Sequence, residues 1–246
     1  MNVQIVLPVH NEAKALAPLL KRIEESVART GIRYRVVLVD DGSTDGSLSI
    51  ARSFARTLPV TILSHEQRQG LGRTIRDGFR RALERCSDED AVVTMDGDNS
   101  QPPERIPGML ERLEAGFDVV VASRYAPGSG SVHVPPYRRL LSRLGNIAYS
   151  AFVPVRGVRD YTCGFRAYKA RILRKGFRTY GDAIVRSRGF ECMAEVLLKL
   201  GRLGARFAEV PFTLDYGAKP SLSKMKLPQT ILGNLRVLAM PRRRQG

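Results

Sequence analysis

The sequence predicts an α/β fold in which a mostly parallel central sheet is covered by helices on both faces. Two features of the chain lead to this prediction. Short runs rich in β-branched and aliphatic residues alternate with longer segments whose apolar residues recur at helical spacing. The strand runs are apolar almost throughout, which is typical of strands buried on both faces of a sheet. Parallel strands also need crossover connections, and right-handed strand–helix–strand units supply the covering helices.

The regular alternation occupies the first half of the chain. Strands are predicted at residues 3–9, 35–40, 59–64, 91–95 and 118–123. Amphipathic helices are predicted at residues 12–28, after the turn at 41–46, at 70–85 and from 102–103 onward. Pro18 predicts that the regular part of the first helix begins there, because proline is tolerated in a first turn. Ligands of such sheets bind beyond the carboxyl ends of the strands, so the residues that follow each strand are the candidates for a site.

The alternation stops after Tyr125. Residues 126–136 form a loop rich in glycine, serine and proline, and a helix is predicted at residues 137–151. After a second irregular stretch, we expect a helix near residues 191–200 and a strand near residues 206–216. The chain contains neither an internal repeat nor a low-complexity tract.

The net charge of the chain indicates an anionic partner. There are 40 lysine and arginine residues against 24 aspartate and glutamate residues, a formal net charge of +16. Such an excess suits nucleic acid, an anionic membrane surface or phosphorylated substrates. The apolar fraction of 43% is ordinary for a globular protein and excludes disorder as the main state.

Cysteine usage and hydropathy give expectations about the cellular location of the protein. Cys86, Cys163 and Cys192 are widely spaced and match neither a zinc site nor a disulfide framework, so we expect a reducing compartment. The first twelve residues lack a basic region before their apolar run and are predicted to be a strand, not a signal peptide. No stretch approaches the roughly 18 apolar residues of a membrane span. We expect a cytoplasmic protein that is soluble or peripheral on the cytoplasmic face of a membrane.

The end of the chain is expected to form a separate segment at residues 227–246, following a domain at residues 1–226. Apolar residues fall on one face of the predicted helix, namely Ile231, Leu232, Leu235 and Leu238. Arginines follow at residues 242–244, and others occur near the start of the helix at 137–151. A basic amphipathic segment suits an anionic lipid surface. Packing of the apolar face on the core explains the pattern equally well.

A pair of carboxylates follows the fourth predicted strand. Asp96-Gly97-Asp98 places two acidic side chains two residues apart, and the glycine permits a tight turn through which both can face one divalent ion. Mg²⁺ typically takes one or two carboxylates together with substrate phosphates, so the motif indicates a metal bound to a diphosphate. The same tripeptide is common in solvated turns. Its place at the end of a strand is what favours a site.

A second acidic turn follows the second predicted strand. Asp40 and Asp41 are adjacent, and their mutual repulsion is a cost unless a cation or hydrogen-bond donors offset it. Such carboxylates can bind the base or ribose of a nucleotide, while Ser43 or Asp45 caps the next helix. A dinucleotide-binding fold would need Gly-x-Gly-x-x-Gly after the first strand, whereas residues 8–12 are Pro-Val-His-Asn-Glu. A dehydrogenase is therefore excluded.

A series of motifs, in this order, resembles the family 2 glycosyltransferases. The motifs are Leu7-Pro8-Val9-His10-Asn11-Glu12, Val39-Asp40-Asp41-Gly42-Ser43-Thr44-Asp45, Gly70-Leu71-Gly72, Met95-Asp96-Gly97-Asp98 with Pro102-Pro103-Glu104, Ser123-Arg124-Tyr125, Cys163-Gly164-Phe165-Arg166 and Ser223-Lys224. The last three are most similar to the dolichol-phosphate or polyprenol-phosphate mannosyltransferase branch. The resemblance covers about residues 3–230. It implies a GT-A-type nucleotide-sugar-binding fold, with residues 1–226 as the catalytic domain.

The resemblance also implies roles for individual residues at the donor end. The residues expected to bind the nucleotide sugar are Pro8, Val9, Glu12, Asp40, Asp41, Gly70, Asp96, Gly97 and Lys224. Asp96 and the catalytic Asp98 are expected to hold Mg²⁺ or Mn²⁺ on the diphosphate. Relatives often have a glutamine two residues after the second aspartate as a further metal ligand. Here that position is Ser100, with Gln101 next, and His10 stands where the family usually has tyrosine.

At the acceptor end, the resemblance implies that Arg124, Arg138 and Ser142 bind the phosphate of a polyprenol phosphate, and that both arginines are catalytic. An ionised phosphate oxygen can attack C1 of the sugar without a general base, so we expect single displacement with inversion. A neutral hydroxyl acceptor would need a carboxylate base, for which Glu191 is the candidate. An acid at this position is equally well explained by the N-terminus of a helix.

Three functions are compatible with the sequence. The first is hexose transfer to a polyprenol phosphate, with mannose from GDP-mannose favoured over glucose from UDP-glucose. The second is transfer by a family 2 enzyme to the hydroxyl of a saccharide or small molecule. The third is a non-catalytic basic module that binds nucleic acid or membrane, which leaves the paired acidic turns unexplained. We therefore expect a nucleotide sugar, a polyprenol phosphate and an anionic membrane surface as partners, and no nucleic acid.

Overall fold

The structure is a computed structural model and describes residues 1–217 and 227–240. The strands are β1 (Val3–Val9), β2 (Tyr34–Asp40), β3 (Val60–Ser64), β4 (Ala91–Thr94), β5 (Val119–Ser123), β6 (Gly130–Val132), β7 (Arg166–Lys169), β8 (Phe207–Pro211) and β9 (Thr213–Asp215). The helices are α1 (Ala13–Ala28), α2 (Ser47–Phe54), α3 (Leu71–Leu83), α4 (Ile106–Glu114), α5 (Pro136–Phe152), α6 (Ala170–Tyr180), α7 (Cys192–Arg202) and α8 (Leu227–Leu238).

A seven-stranded sheet forms the centre of the described part of the chain, in the order β3-β2-β1-β4-β7-β5-β8. Neighbouring strands are parallel except at β7, which is antiparallel to both β4 and β5. Helices α1, α2 and α4 pack together, and α3, α6 and α7 form a second group. The two groups cover the two faces of the sheet. The predicted fold class is confirmed.

The central strands are buried as their continuous apolar runs predict. Every residue of β4 and β5 is buried, and β1 is buried except at Pro8, which is half-buried. Because β1, β2, β4 and β5 run in the same direction, their carboxyl ends meet at one edge of the sheet. The two acidic turns and Arg124 therefore lie at that edge. The small parallel sheet of β6 and β9 is formed by the segments that follow β5 and β8.

Helix α1 spans the predicted range, but its regular part begins before Pro18. The prediction that its regular part begins at Pro18 is wrong, because the helix starts at Ala13 and contains Pro18 in its interior. The reason lies in the second acidic turn. The backbone N–H of Ala13 donates to Asp45 Oδ2 at 3.0 Å, and the N–H of Glu12 donates to Ser47 Oγ at 2.8 Å. Side chains from a distant turn thus supply acceptors for the first turn of this helix.

The stretch between α5 and α7 was expected to be irregular, and this expectation is wrong. It contains β7, in the middle of the sheet, and the following helix α6. The strand has the sequence Arg-Ala-Tyr-Lys, so its polar ends hide it from a search for apolar runs. Arg166 is fully buried because its guanidinium donates to the carbonyl groups of Met193 and Tyr161. Lys169 Nζ lies 2.9 Å from Glu89 Oε2.

The strand predicted near residues 206–216 is two strands. β8 pairs with β5, and β9 pairs with β6. Between them, Phe212 is buried and its N–H donates to Ser123 O at 3.2 Å. At this residue the chain stops pairing with β5 in the main sheet and begins to pair with β6.

The C-terminal helix α8 packs on both α5 and α7. Tyr149 Oη donates to Asn234 Oδ1 at 2.7 Å, and Val237 is buried. Ile231, Leu232 and Leu235 are about half exposed. Among the described residues, no helix is both long and apolar enough to cross a membrane. The arginines at 242–244 lie outside the described residues.

Candidate active site

A cleft of about 950 Å³ lies at the carboxyl edge of the sheet. The predicted site residues that line it are Pro8, Val9, Glu12, Asp41, Asp96, Gly97, Asp98, Arg124, Arg138, Ser142 and Glu191. Asp40 and Gly70 lie behind this wall and contact residues that form it. Lys224 lies outside the described residues. The fold thus brings together side chains from turns after β1, β2, β4 and β5 and from α5.

Asp41 is held by donors from the segment between β3 and α3. Its Oδ1 accepts the N–H of Gln69 at 2.7 Å and lies 2.9 Å from His65 Nδ1. Its Oδ2 accepts the N–H of Gly70 at 2.9 Å. Burial alone would raise the pKa of Asp41, but these hydrogen bonds outweigh it and hold the pKa below its ordinary value. The carboxylate is therefore ionised and fixed in orientation.

Asp40 hydrogen-bonds to the turn that follows it and is not among the residues that line the cleft. It is buried, and its Oδ2 accepts hydrogen bonds from the backbone N–H of Ser43 and from Ser64 Oγ, both at 3.3 Å. On the other side of the turn, His10 Nδ1 lies 2.8 Å from Asp41 O. These contacts tie the ends of β1, β2 and β3 together.

The two carboxylates after β4 are each held by a residue of the next turn. Asp98 Oδ1 accepts hydrogen bonds from Ser100 Oγ at 2.6 Å and from Ser100 N at 3.1 Å. Asp96 Oδ2 accepts from Gln101 Nε2 at 2.8 Å, and Gln101 Oε1 accepts from Asp96 N at 2.8 Å. Ser100 and Gln101, which the sequence left without a defined role, thus orient the acidic pair.

This pair fits a divalent cation that is shared with a substrate. No cluster of three or more histidine, cysteine, aspartate or glutamate ligands occurs among the described residues. Two carboxylates in a cleft are what Mg²⁺ requires when diphosphate oxygens and water complete its coordination. Asp96 and Asp98 satisfy this condition, because both line the cleft.

Two glycines permit close approaches around the acidic pair. A Cβ atom at Gly97 would lie 2.9 Å from the carbonyl oxygen of Pro8, so the turn packs directly on the end of β1. A Cβ atom at Gly164 would lie 3.1 Å from Asp96 Oδ1. Thr94 Oγ1 donates to the carbonyl oxygen of Gly164 at 2.6 Å. The segment before β7 therefore forms part of the wall beside Asp96.

Arg124 is fixed by a buried carboxylate that the sequence did not reveal. Its Nε and Nη2 each donate to Asp160 at 2.8 Å, and Nη2 also donates to Thr162 Oγ1 at 2.8 Å. Burial lowers the pKa of Arg124, but Asp160 outweighs it and raises the pKa above its ordinary value. Because Asp160 is 36 residues away in the chain, no local pattern signals the pair. Within the described part of the chain, the side-chain hydrogen bonds of Arg124 come from Nε and Nη2 and none from Nη1.

The predicted acceptor residues on α5 line the same cleft as Arg124. Tyr125 Oη donates to Ser142 Oγ at 2.8 Å, which connects the end of β5 with α5. Arg138 is one helical turn before Ser142, and its Nε donates to Tyr137 Oη at 3.1 Å. A positively charged and hydroxyl-bearing stretch of wall therefore faces the cleft.

Glu191 lines the cleft at the start of α7. Its Oε1 accepts the N–H of Gly189 at 3.1 Å. A Cβ atom at Gly233 of α8 would lie 2.5 Å from Glu191 Cδ, so the side chain is packed beneath α8. Both interpretations of this residue, catalytic base or helix-terminal acid, stay predictions.

The cleft continues as an apolar groove between α5 and α8. It is lined by Leu140 and Leu144 of α5, which are 58% and 53% exposed. Ile231 and Leu235 of α8 line the opposite side. Contiguous exposed aliphatic side chains mark an interaction site, such as a ligand-binding groove or a membrane-facing surface.

Fold and site together define a glycosyltransferase of the GT-A type. The same fold occurs in glucosyl-3-phosphoglycerate synthase from Mycobacterium tuberculosis, solved in complex with Mn²⁺, uridine diphosphate and phosphoglyceric acid. That structure has a TM-score of 0.66 and 19% sequence identity, and the match covers 98% of this chain and 80% of that chain. Residues 4–177 match glycosyl transferase family 2, and the chain belongs to this family.

Two relatives illustrate the similarity in sequence. The chain is 34% identical over 234 residues to an undecaprenyl-phosphate mannosyltransferase from Micrococcus luteus, and the match covers 95% of this chain and 90% of the relative. It is 31% identical over 230 residues to a dolichol-phosphate mannosyltransferase from Pyrococcus furiosus, and the match covers 92% of this chain. The chain spans 60% of the length of the latter relative. The predicted resemblance is therefore confirmed over most of the chain.

Proposed function

We propose that this glycosyltransferase moves a hexose, mannose from GDP-mannose, onto a polyprenol phosphate with inversion at C1. One observation carries the proposal. The same cleft is lined by a pair of carboxylates, by Arg124 and by apolar residues of α5 and α8. A diphosphate with its metal, a phosphate and an isoprenoid chain are ligands that match these three parts in turn. The names of the two relatives support the lipid phosphate and the mannose.

At the donor end, Asp96 and Asp98 would hold Mg²⁺ or Mn²⁺. The metal supplies charge neutralisation for the diphosphate as the glycosidic bond breaks. Pro8, Val9, Glu12 and Asp41 form the cleft wall for the nucleoside, with Asp40 and Gly70 supporting Asp41 from behind. Lys224 is proposed to reach the donor phosphates.

At the acceptor end, Arg124 and Arg138 hold the lipid phosphate, with Ser142 as a further hydrogen-bond donor. The phosphate oxygen forms the new bond to C1, and the bond from C1 to the diphosphate oxygen breaks with its electron pair going to the nucleoside diphosphate. No proton has to be removed, because the acceptor is already ionised. The arginines offset the repulsion between the two phosphate groups, and Asp160 fixes Arg124 so that Nη1 is presented.

The apolar groove supports a lipid acceptor over a saccharide. A free sugar would leave the half-exposed leucines of α5 in contact with water, whereas the first isoprene units cover them. Glu191 remains the candidate base for the alternative, a transferase that uses a hydroxyl acceptor. UDP-glucose is the alternative donor, because nothing in the wall around Asp41 selects between the two bases.

The membrane face is proposed to be the side formed by α5 and α8. Leu140, Leu144, Ile147 and Phe152 are exposed on α5, with Arg139 and Arg143 exposed beside them. Apolar side chains flanked by arginines suit an anionic membrane surface, with about 1 kcal/mol per basic residue near the surface. Sedimentation at low salt with vesicles of phosphatidylglycerol should deplete the protein from the supernatant, and deletion of residues 227–246 should weaken this. Protein that stays in solution contradicts the proposal.

The reaction is tested by direct transfer. The protein is incubated with labelled GDP-mannose or UDP-glucose, Mg²⁺ or Mn²⁺, and undecaprenyl phosphate, and the lipid fraction is extracted. We expect label from GDP-mannose in the lipid as a β-linked product. Parallel reactions contain a saccharide acceptor in place of the lipid. Label in the saccharide alone, lost in Glu191→Gln, would establish the hydroxyl-acceptor function instead.

The metal assignment has its own test. Asp98→Ala should abolish turnover, because one of the two carboxylates that hold the cation is gone. Asp182→Ala is the matched control, because Asp182 is exposed and pairs with Arg80 away from the cleft. Full activity of Asp98→Ala would contradict the role of the acidic pair, whereas chelation by EDTA and rescue by Mn²⁺ would support it.

A further inference from the structure

His65 lies behind the wall of the cleft, between two carboxylates. Its Nδ1 is 2.9 Å from Asp41 Oδ1, and its Nε2 is 3.2 Å from Asp77 Oδ2 on α3. The His65 side chain is 14% exposed, and those of Asp41 and Asp77 are 6% and 22% exposed. The ring therefore connects Asp41, which lines the cleft, to Asp77 on α3, which is not among the lining residues.

The two contacts fix the orientation of the ring. Each ring nitrogen lies within hydrogen-bond distance of one carboxylate, Asp41 after β2 and Asp77 on α3. Asp77 also contacts Arg73 Nε at 2.7 Å and Arg76 Nε at 3.7 Å. The ring cannot turn without losing its contact to Asp41 or to Asp77.

The consequence for Asp41 follows from its acceptor sites. A carboxylate offers about four lone-pair positions. Three are taken by protein donors, namely His65 Nδ1, the Gln69 N–H and the Gly70 N–H. Donors from the described residues leave one acceptor position, on Oδ2, in a carboxylate that lines the cleft. Such a group accepts one N–H from a ligand, as a purine or pyrimidine base can supply.

We propose that His65 is a positioning residue for the donor nucleotide, and that it fixes Asp41 for a single N–H of the base. This inference rests on the proposed nucleotide-sugar donor. Without the ring, Asp41 is less well held, so the donor binds more weakly, while the acceptor site is unaffected.

Two variants separate this role from a purely structural one. His65→Gln should raise the KM for the donor about tenfold, the change that corresponds to one hydrogen bond to a charged group, without changing the KM for the acceptor. Asp77→Asn keeps a polar partner for Nε2 and should raise the donor KM less than His65→Gln does.

The measurement is made in two ways. Calorimetric titration with GDP and with UDP, each with Mg²⁺, gives the Kd, and steady-state kinetics give KM and kcat. His133→Gln is the matched control, because His133 pairs with Asp215 at 2.8 Å on the exposed side of the small sheet. Urea unfolding of each variant shows whether a change in KM accompanies a loss of fold.

Two results would overturn the inference. An unchanged donor Kd in His65→Gln, or a rise in the acceptor KM as large as that in the donor KM, would mean that His65 only joins β3 to α3. In that case the proposed function stands. If neither GDP nor UDP binds the wild-type protein, the proposed donor site fails and this inference fails with it.

Discussion

Replacement of Asp160 by asparagine removes the charge that fixes Arg124. The Asp160 side chain is fully buried and that of Arg124 is 16% exposed, with two hydrogen bonds of 2.8 Å between them. Removing one partner of a buried ion pair typically costs about 3–5 kcal/mol. The asparagine oxygen keeps one acceptor, so we take the lower end, about 3 kcal/mol. With a urea m-value of about 3 kcal/mol/M for a chain of this size, the midpoint should fall by about 1 M.

The effect should depend on pH. Burial raises the pKa of Asp160, but Arg124 outweighs it, and the pKa lies below its ordinary value. A lowered pKa contributes stability that is present above the unfolded value, about 3.9, and is lost as the pH falls through the folded value. The difference between wild type and Asp160→Asn should therefore be constant from neutral pH to about pH 5 and shrink below about pH 4.

The assay is urea unfolding followed by circular dichroism at several pH values. Asp182→Asn is the matched control, because Asp182 pairs with Arg80 on the exposed surface, and it should leave the midpoint unchanged. A shift at neutral pH no larger than that of the control, or one that persists undiminished in acid, would refute the reasoning. In the transfer assay, the variant should also raise the KM for the lipid phosphate, because Arg124 is no longer held.

Two further predictions concern close packing. Gly97→Ala places a Cβ atom 2.9 Å from Pro8 O. We expect kcat to fall about a hundredfold, the cost typical of displacing a catalytic group by about 1 Å. Gly108→Ala has open space at its Cβ and should leave kcat unchanged. Burial raises the pKa of Cys86 to about 11 and that of Cys163 to about 12. At about pH 8 a disulfide reagent should therefore modify these thiols at least about a hundredfold faster in urea than in the native protein; equal rates would contradict their burial.

The local pattern of apolar residues was sufficient to predict the strands in the first half of the chain. The strand at Val3–Val9 and the strand that precedes Asp96 are continuous apolar runs, and such runs are typical of strands that helices cover on both faces. Parallel strands end at a common edge, so Asp41 and Asp96 were expected in one site from their order alone. The strand at Arg166–Lys169 escaped this reasoning, because its polar ends are buried only through partners supplied by α7 and residue 89.

The sequence by itself determined the class of fold, the edge of the sheet at which the cleft lies and the acidic residues that line it. These follow from periodicity and from residue types at strand ends, which are local properties of the chain. Tertiary structure alone decided that Asp160 holds Arg124, that His65 connects Asp41 to Asp77, and that α5 and α8 enclose an apolar groove. Each of these depends on which distant segments the sheet order and helix packing bring within hydrogen-bond distance, and no local spacing encodes that distance.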